Sequence, residues 1–482
     1  MRSSTKPADM EELSRDSGII TVRPRVAYFA ESEQDVSTAI RESMANGNPV
    51  TARGGGTSIP SQSVGSGAIL IQTRYSVKVD GDTVSCEPGI LKSDLNKELA
   101  SAGLWMPVDP SSYASCTVGG MLANNSSGAR TMKYGSTVDY VASVRAVFPG
   151  ENARPAGPLK VEEALAGDHR VRRAASLIVE NQKSIEEDRP AVTKNSSGYR
   201  LEKVLHDGKF DLPKLLAGSE GTLCVFTEST FTTIPPPRWR LLLIVESGLG
   251  ELDRVAGAFR VHSPSALELV DKSVFRDMGR WERVARYSRT DAPYLVFCEF
   301  DGGRGDSSVK AQELAESRIR DYDPMVIQSE SEISAAWEVR SETLAIAQDF
   351  RKEGKILVPG VEDLVVPPGK LAELVKLLVD EFGRRGLGYI SYGHAGDANL
   401  HARPFVDMSE ESGMKTLEGL MEDCFEAVWR MGGSMTGEHG DGMLRAKFVE
   451  RQYPKTYWIM QELKSLFDPK GVLNPGVKIA QL

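Results

Sequence analysis

Apolar and polar positions between residues 25 and 145 alternate in a pattern that predicts short strands separated by amphipathic helices. Residues 34–47 carry apolar side chains at helical spacing and end at Gly47, and residues 91–103 do the same and end at Gly103, so both predict helices. Residues 68–73, AILIQT, are a short apolar run that predicts a strand. This alternation is typical of an α/β arrangement.

The pattern changes twice further along the chain. Residues 151–192 are rich in charge and predict a peripheral helical insertion, and the three consecutive prolines at 235–237 form a stiff connector that neither a helix nor a central strand can include. Strand-like and helical runs resume beyond the prolines, for example a helix over 370–386. With 482 residues the chain suits two or three domains, and we predict one over 1–235, carrying the insertion, and one over 236–482.

Composition narrows the functional classes. A net charge of −9 argues against a nucleic-acid-binding surface, which would be basic. No apolar run approaches the ~18 residues of a membrane span, and the N-terminal residues lack the apolar core of a signal peptide, so we expect a cytoplasmic protein. The five cysteines show no zinc-ribbon or iron–sulfur spacing and are expected to be buried reduced thiols.

Three segments of the first half are dense in glycine, serine and threonine: residues 51–62, 115–136 and 217–230. Glycine lets backbone N–H groups approach a phosphate because no Cβ stands in the way. None of the segments is a GxGxxG dinucleotide motif or a P-loop. Three such segments in one domain suit a long phosphate-bearing ligand such as a dinucleotide; the alternative is three surface loops.

Histidine and carboxylate residues cluster in the second half. Residues 391–405, SYGHAGDANLHARPF, predict a hairpin; a turn over 395–398 would place His394 opposite Asn399 and put His401 on the same face. Glu438 and His439 are adjacent and bracketed by glycines. A His/His/Glu set suits a zinc-like ion with an open position and would leave His439 free as a base, whereas a lone histidine is more often structural.

The motifs resemble a known family. ARGGGTS, TVGGMLANNSSGARTMKYGS and GSEGTL are similar to the flavin-binding segments of the vanillyl-alcohol-oxidase/PCMH superfamily. GHAGDANLH, TGEHGDG and FDPKGVLNPG resemble the C-terminal domain of its FAD-dependent D-2-hydroxyacid dehydrogenase branch, which includes D-lactate dehydrogenases, glycolate oxidase flavoprotein subunits and D-2-hydroxyglutarate dehydrogenases. The resemblance implies an α+β fold, with a PCMH-type two-lobed FAD-binding domain over 1–235 and an α/β FAD-linked oxidase C-terminal substrate domain over 236–482.

The resemblance also implies the residues that bind FAD. One group would wrap the pyrophosphate, a second would line the flavin and its ribityl chain, a third would hold the adenine side, and three further residues would lie beside the cofactor. In that order they are Arg53, Gly54, Gly55, Gly56, Thr57 and Ser58; Thr117, Gly119, Gly120, Asn124, Ser127 and Gly128; Gly218, Glu220, Gly221 and Thr222; and Lys194, Tyr199 and Asn474. We expect noncovalent FAD, because the first histidine is His169; Cys116 is a formal alternative tether.

On the substrate side the resemblance implies oxidation of a D-2-hydroxy acid to the 2-oxo acid, by hydride transfer to flavin N5. The metal ligands would be His394, His401 and Glu438, holding zinc or manganese, with His439 as the base. Asn399 would orient the substrate, and Arg340 and Lys355 would bind its carboxylate. Ala398 departs from the family's usual glycine in the hairpin turn.

Partners and alternatives complete the expectations. Long members of the branch continue into a cysteine-rich iron–sulfur domain that this sequence lacks, so we expect a separate electron acceptor, either an electron-transfer flavoprotein or an iron–sulfur subunit. That partner could bring the protein to a membrane surface, and a homodimer is left open. The competing functions are an alcohol or aldonolactone oxidase on the same scaffold that uses oxygen, a zinc hydrolase with glycine-rich loops, and a binding protein without catalysis.

Overall fold

The first part of the chain contains two principal sheets. The computed structural model describes residues 1–349, 351–352 and 354–480, with side chains left out for 344–349 and 351–352. The first sheet has four strands, in spatial order Arg2–Ser4, Val26–Ala30, Ala68–Gln72 and Val50–Ala52; the first is antiparallel to its neighbour and the other three are parallel. The second sheet has five antiparallel strands, in the order Val77–Asp80, Thr83–Cys86, Val225–Thr232, Val141–Val147 and Arg154–Ala156.

Helices cover these sheets, and a small third sheet lies beside them. The small sheet joins strands Leu205–His206, Lys209–Asp211 and Pro158–Lys160. The helices of this part are Pro7–Glu12, Glu33–Ala45, Lys92–Ala100, Val118–Asn124, Thr131–Tyr134, Val161–Leu165, His169–Glu180, Gln182–Asp188 and Leu212–Leu216, with 3₁₀ turns at Thr137–Asp139 and Leu201–Lys203.

The second part is built on one large sheet. Its strands are, in spatial order, Met325–Ile327, Trp239–Ser247, Tyr294–Gly302, Ala266–Asp271, Tyr389–His394, Asn399–Val406, Lys355–Leu357 and Arg351–Lys352, with Leu364–Val365 also pairing to Asn399–Val406. The helices are Leu252–Arg260, Lys272–Asp277, Glu282–Ala285, Ser307–Ala315, Glu330–Asp349, Leu371–Arg384, Glu411–Arg430, Gly442–Arg445, Val449–Gln452 and Tyr457–Phe467, with 3₁₀ turns at Leu249–Glu251, Arg318–Tyr322 and Ala446–Phe448.

The C-terminal segment returns to the first part of the molecule. Arg173 of helix His169–Glu180 pairs with Glu462 of helix Tyr457–Phe467 at 3.2 Å. Leu473 forms a parallel bridge to Val50, and the Asn474 N–H donates to the Val50 carbonyl at 2.8 Å. Residues that follow the histidine and carboxylate motifs in sequence therefore brace the first glycine-rich loop.

Several local expectations are confirmed by the structure. The predicted helices appear as Glu33–Ala45, Lys92–Ala100 and Leu371–Arg384, each slightly shorter than its sequence pattern. The hairpin pairs His394 with Asn399. Ala398 takes φ +50°, the left-handed conformation in which glycine is favoured, so the turn forms despite the substitution.

One expectation needs correction. Residues 151–192 are not purely helical: Arg154–Ala156 extends the five-stranded sheet, and Pro158–Lys160 pairs with Lys209–Asp211. Short strands were missed because proline and glycine break up the apolar pattern there. The division at 235 stays a prediction; the chain passes from the five-stranded sheet to the large sheet between Thr232 and Trp239. Among the described helices, none has the length and apolar character needed to cross a bilayer.

Candidate active site at the junction of the two domains

The hairpin Tyr389–Val406 brings the two histidines together. His394 ends one strand and Asn399 begins the next, and His401 pairs with Tyr392 in the same ladder. Residues 394, 399 and 401 share one face because side chains alternate along a strand and opposed residues point the same way. All three side chains are buried, so the imidazoles meet inside the protein.

Glu438 completes a compact triangle with these imidazoles. His394 Nε2 lies 3.1 Å from His401 Nε2, and Glu438 Oε1 lies 3.3 Å from the first nitrogen and 3.1 Å from the second. A tetrahedral zinc with bonds of about 2.05 Å spaces its ligand atoms about 3.3 Å apart. The spacing of the three atoms therefore fits a bound divalent ion.

The hydrogen bonds behind each histidine fix which atoms face the triangle. His401 Nδ1 lies 2.8 Å from the Glu362 carbonyl oxygen, which can only accept, so the proton of the neutral ring sits on Nδ1. His394 Nδ1 lies 2.7 Å from the Glu268 carboxylate and is protonated for the same reason. In the neutral rings two nitrogen lone pairs and a carboxylate oxygen then converge, an arrangement that favours positive charge between them.

The electrostatics agree with this preference for positive charge. Burial acts to lower the pKa of His394, but the adjacent Glu268 carboxylate outweighs it and raises the pKa to about 9. For His401 burial prevails and lowers the pKa. A protonated His394 thus supplies positive charge at the point where a bound cation would supply it.

The second oxygen of Glu438 is held by the first domain. Glu438 Oε2 accepts from Ser127 Oγ at 3.2 Å and from Lys194 Nζ at 3.0 Å. Although burial alone would raise it, the pKa of Glu438 lies well below its usual range because Lys194 and His394 stabilise the carboxylate. Lys194, which was predicted to lie beside the cofactor, contacts a metal-ligand candidate, and its place beside the cofactor stays a prediction.

Two acidic residues, Glu362 and Asp363, hold the loop that carries His439. Asp363 Oδ2 accepts the backbone N–H groups of Glu438 and His439 at 2.9 and 2.7 Å. Glu362 Oε1 lies 3.1 Å from His439 Nδ1, which directs the Nε2 of that ring away from the support. Burial opposes it, but Asp363 and Glu362 together raise the pKa of His439, so Nε2 is suited to accept a proton.

A second, overlapping ligand set also exists. One donor atom from each of Asp363, His401, Glu438 and His439 lies within 4.8 Å of the others. Both Asp363 oxygens are already used, however: Oδ2 by the loop and Oδ1 by the Asn399 amide at 3.1 Å. The set with His394 has free lone pairs and the closer spacing, so it is the better candidate.

A large cavity opens next to this cluster. It measures about 490 Å³, within the range usual for cofactor pockets, and takes lining residues from both principal sheets of the first domain. Of the residues predicted to bind FAD, the lining includes Arg53, Gly54, Gly55, Gly56, Thr57, Ser58, Thr117, Gly119, Gly120, Asn124, Ser127, Glu220 and Gly221. Glu438 and His439 also line it, so the proposed base faces the same space as the glycine-rich loops.

Other predicted cofactor residues do not reach this cavity. Gly128, Lys194, Tyr199, Gly218, Thr222 and Asn474 lie outside its lining. Asn474 joins three loops from behind, receiving a hydrogen bond from Thr51 and donating to the Gln62 and Glu220 carbonyls.

Glu220 lines the cavity, but its carboxylate is already engaged. It accepts the N–H groups of Asp441 and Gly442 at 2.9 and 2.8 Å and pairs with the buried Lys478 at 2.9 Å. Glu220 therefore anchors the loop that carries His439 to the first domain. That anchoring depends on a lysine near the C-terminus, which sequence reasoning did not single out.

The cavity has features that fit a dinucleotide. Its lining is mainly backbone and small polar side chains, and Arg53 is its one lysine or arginine among the described residues, a single cation suited to a pyrophosphate. Gln62, which was not predicted, lines the cavity with a buried Oε1 that has no hydrogen-bond partner within the described part of the chain. An unpaired buried acceptor calls for a ligand donor. Cys116 also lines the space and is buried.

The three residues predicted to bind the substrate differ in how near they lie to the site and in which of their polar groups are free. Arg340 is buried beside the site, but its Nε and Nη2 lie 2.9 and 2.7 Å from Glu268 Oε2, so Glu268 already neutralises it. The Asn399 amide nitrogen donates to the loop at 363–364, leaving its oxygen unpartnered within the described residues. Lys355 begins a strand that pairs with the far end of Asn399–Val406, about 23 Å from Asn399 along the strand, and the structure does not bring it to the site.

Comparison with known proteins adds the family context. Residues 24–153 match the family model described as FAD binding domain, and residues 251–477 match FAD linked oxidases, C-terminal domain. The chain is similar to a D-2-hydroxyglutarate dehydrogenase of Pseudomonas putida (28% identical over 96% of this chain and 49% of that protein). It is also similar to a D-lactate dehydrogenase of Archaeoglobus fulgidus (29%, covering 95% and 92%) and to glycolate oxidase subunit GlcD of Bacillus subtilis (27%, covering 90% and 84%).

The solved structure of an alkyldihydroxyacetonephosphate synthase superposes with a TM-score of 0.65 at 16% identity, covering 98% of this chain and 82% of that one. At that identity the likeness concerns the fold alone. The two-domain α+β architecture expected from the sequence is thereby confirmed. The chain spans about half the length of the D-2-hydroxyglutarate dehydrogenases that it matches in Pseudomonas putida and Escherichia coli.

Proposed function

Because the chain belongs to the PCMH-type FAD oxidoreductases, in the branch that contains D-lactate and D-2-hydroxyglutarate dehydrogenases, we propose that it oxidises a D-2-hydroxy acid to the 2-oxo acid. The observation that carries the proposal is the convergence of His394, His401 and Glu438 beside His439 at one end of the cavity that the glycine-rich loops form. Substrates of the D-lactate, glycolate and D-2-hydroxyglutarate class share the hydroxyl and carboxylate that this arrangement suits.

The two cofactors have separate places. FAD, held noncovalently by the loops around Arg53, Gly55 and Thr117, would accept the hydride from C2 at flavin N5. A zinc or manganese ion held by His394, His401 and Glu438 would supply Lewis acidity and so lower the pKa of the substrate hydroxyl. The rest of the chemistry belongs to this chain's own side chains.

His439 is placed to remove the hydroxyl proton. Glu362 holds its Nδ1 and thereby leaves Nε2 as the basic atom, which lies 3.8 Å from Glu438 Oε1. Arg445 in turn donates to Glu362 at 2.7 Å, so the support of the base is itself fixed. The loop at 437–442 thus carries a metal ligand and the base on adjacent residues.

The domain interface fixes the loop that carries the proposed base. Asn124 of the first domain donates to the Glu438 carbonyl, and Gln62 donates to the His439 carbonyl, both at 2.9 Å. These contacts fix the loop against the cavity wall, so the base and the cofactor space keep one relative position.

The test is anaerobic flavin bleaching of the purified protein by a panel of D- and L-2-hydroxy acids. We expect yellow protein whose flavin is reduced by at least one D-enantiomer and not by its L-partner. A colourless protein with hydrolase activity would instead support the zinc-hydrolase alternative and overturn the proposal.

Electrons must then pass to an acceptor, which we propose is a separate protein such as an electron-transfer flavoprotein or an iron–sulfur subunit. The alternative is an oxidase that reduces oxygen on the same scaffold. Stoichiometric hydrogen peroxide at every turnover in air would favour the oxidase, whereas slow reoxidation in air and fast reoxidation by an added electron-transfer flavoprotein would favour the dehydrogenase.

A further inference from the structure

Arg403 is a buried guanidinium that has no ion-pair partner among the residues whose side chains the structure describes. It exposes only 5% of its surface, and within the described residues it forms no hydrogen bond and no ion pair; its Nε is fully enclosed. Other buried basic residues of the site are paired: Arg340 with Glu268, Arg445 with Glu362, and Lys194 with Glu438. An unpaired buried cation is costly, so it signals a missing anion.

The position of Arg403 directs it toward the substrate side of the site. It lies two residues after His401 and four after Asn399 on the strand Asn399–Val406, so all three side chains share a face. Its partner across the ladder is Ile390, next to the pair of Tyr392 with His401 on the same face.

The apolar surroundings of Arg403 raise the cost of leaving its charge unpaired. Ile390, Tyr392 and Phe405 share the face of Arg403 and belong to one apolar cluster with the helix Glu330–Asp349. Tyr392 contacts both Arg340 and His401: its ring centroid lies 4.9 Å from the Arg340 guanidinium carbon and 5.1 Å from the centroid of the His401 ring. Arg340 is neutralised by Glu268, so Arg403 is the basic side chain on this face with its hydrogen-bonding capacity unused among the described residues.

From this geometry we infer that Arg403 is the carboxylate-binding residue of the substrate site. The inference rests on the proposed function and deepens it: the fork of N–H donors would bind a substrate carboxylate in a bidentate pair. That carboxylate is either the one adjacent to the reacting hydroxyl or a second, distal one. In the second case the chain would prefer a dicarboxylic 2-hydroxy acid.

The experiment compares Arg403→Met and Arg403→Lys with the wild-type FAD- and metal-loaded protein. Flavin reduction is followed anaerobically with D-lactate, which has one carboxylate, and with D-2-hydroxyglutarate, which has two. We expect Arg403→Met to raise the half-saturating concentration about 30-fold or more while the limiting rate changes less, with Arg403→Lys intermediate. A loss for both substrates identifies the adjacent carboxylate, and a loss confined to D-2-hydroxyglutarate identifies the distal one.

A stability measurement separates binding from a structural role. Because Arg403 has no hydrogen-bond or ion-pair partner in the described part of the chain, Arg403→Met should raise the Tm of the substrate-free protein by about 2 °C or more, whereas loss of a structural residue would lower it. Arg172→Met, the same replacement at an exposed helix position, is the matched control and should change neither quantity. Unchanged half-saturation for both substrates in Arg403→Met would overturn the inference.

The result stays distinguishable from a failure of the proposed function. If wild-type protein is reduced by no 2-hydroxy acid, the oxidation proposal fails, and the Arg403 inference is then judged by Tm shifts with pyruvate and 2-oxoglutarate. Stabilisation of wild type that Arg403→Met abolishes would support carboxylate binding. Absence of stabilisation in the wild type would overturn it.

Discussion

The cavity and the metal-ligand cluster adjoin each other but are built by opposite means. The cavity is shaped by side chains that are missing: a Cβ on Gly55 would lie 2.1 Å from the Ser115 carbonyl oxygen, and one on Gly54 would lie 2.3 Å from Thr117 Oγ1. The cluster is built from ionisable side chains that separate segments bring together, and each is held by another charged or polar group. The cavity therefore takes most of its lining from the first domain, whereas the cluster depends on charged side chains from both.

The largest expected effect comes from removing the proposed base, which should stop flavin reduction without affecting FAD binding. His439→Ala should reduce the rate of flavin reduction by D-2-hydroxy acids by about 10³-fold or more, because the hydroxyl proton loses its acceptor. The flavin spectrum should stay intact, since the loop at 439 is held through its backbone, by Asp363 and Gln62, and the substitution leaves those contacts in place. Stopped-flow absorbance measures both quantities, with His169→Ala at an exposed position as control.

Removing two metal ligands extends that test. The double variant His394→Ala and His401→Ala should also keep its flavin. It should lose turnover, and it should no longer bind zinc or manganese stoichiometrically. Normal reduction by either variant would contradict the placing of proton removal and metal binding in this cluster.

The converse change affects the cavity and spares the cluster. Gly55→Ala should lower FAD occupancy strongly, because the new methyl would push against the backbone at Ser115. Zinc binding should be preserved, as no ligand contacts that loop. Gly257→Ala is the matched control: its Cβ would meet nothing within 4 Å in helix Leu252–Arg260, and FAD content should not change. Flavin content from absorbance and metal content from elemental analysis are the measurements.

The sequence predicts these two regions to different extents. Local patterns are sufficient for the glycine loops and for the hairpin, because a turn and a period of two place His394 opposite Asn399. The same periodicity would have indicated Arg403, two residues after His401. Glu362 and Asp363 also left a signal, as two adjacent acids inside the otherwise apolar run 356–366.

Pairings between distant segments were not predictable. Glu268 supports His394 from another strand, and Lys194 reaches Glu438 across 244 residues. Glu220 was expected to bind the cofactor because it stands in a family motif, yet its partners are Lys478 and the loop at 441–442. A carboxylate in a motif shows that an interaction exists, but the partner is decided by the tertiary fold.

Lys194 tests how far the cluster depends on the first domain. Lys194→Met should weaken zinc binding about 10- to 100-fold, because, among the described residues, Ser127 alone would still support Glu438 Oε2 and the buried carboxylate would lose the lysine cation. Calorimetric zinc titration of the FAD-loaded, metal-stripped protein gives the affinity directly. Lys183→Met, at an exposed position, is the control. Unchanged affinity would mean that Glu438 is oriented by the second domain alone.

The smallest effect concerns the turn that sets the geometry of the hairpin. Ala398 adopts φ +50°, where a Cβ costs about 1–2 kcal/mol, and glycine would relieve this while adding about 0.5–1 kcal/mol of unfolded-state entropy. Ala398→Gly should therefore raise the free energy of unfolding by about 0.5 kcal/mol and leave turnover unchanged. Ala395→Gly, in the same turn but without positive φ, should lower it by a similar amount, since only the entropy term remains. Denaturant unfolding of the two variants compares them directly. If both destabilise equally, the left-handed turn is wrong, and with it the pairing that brings His394 to His401.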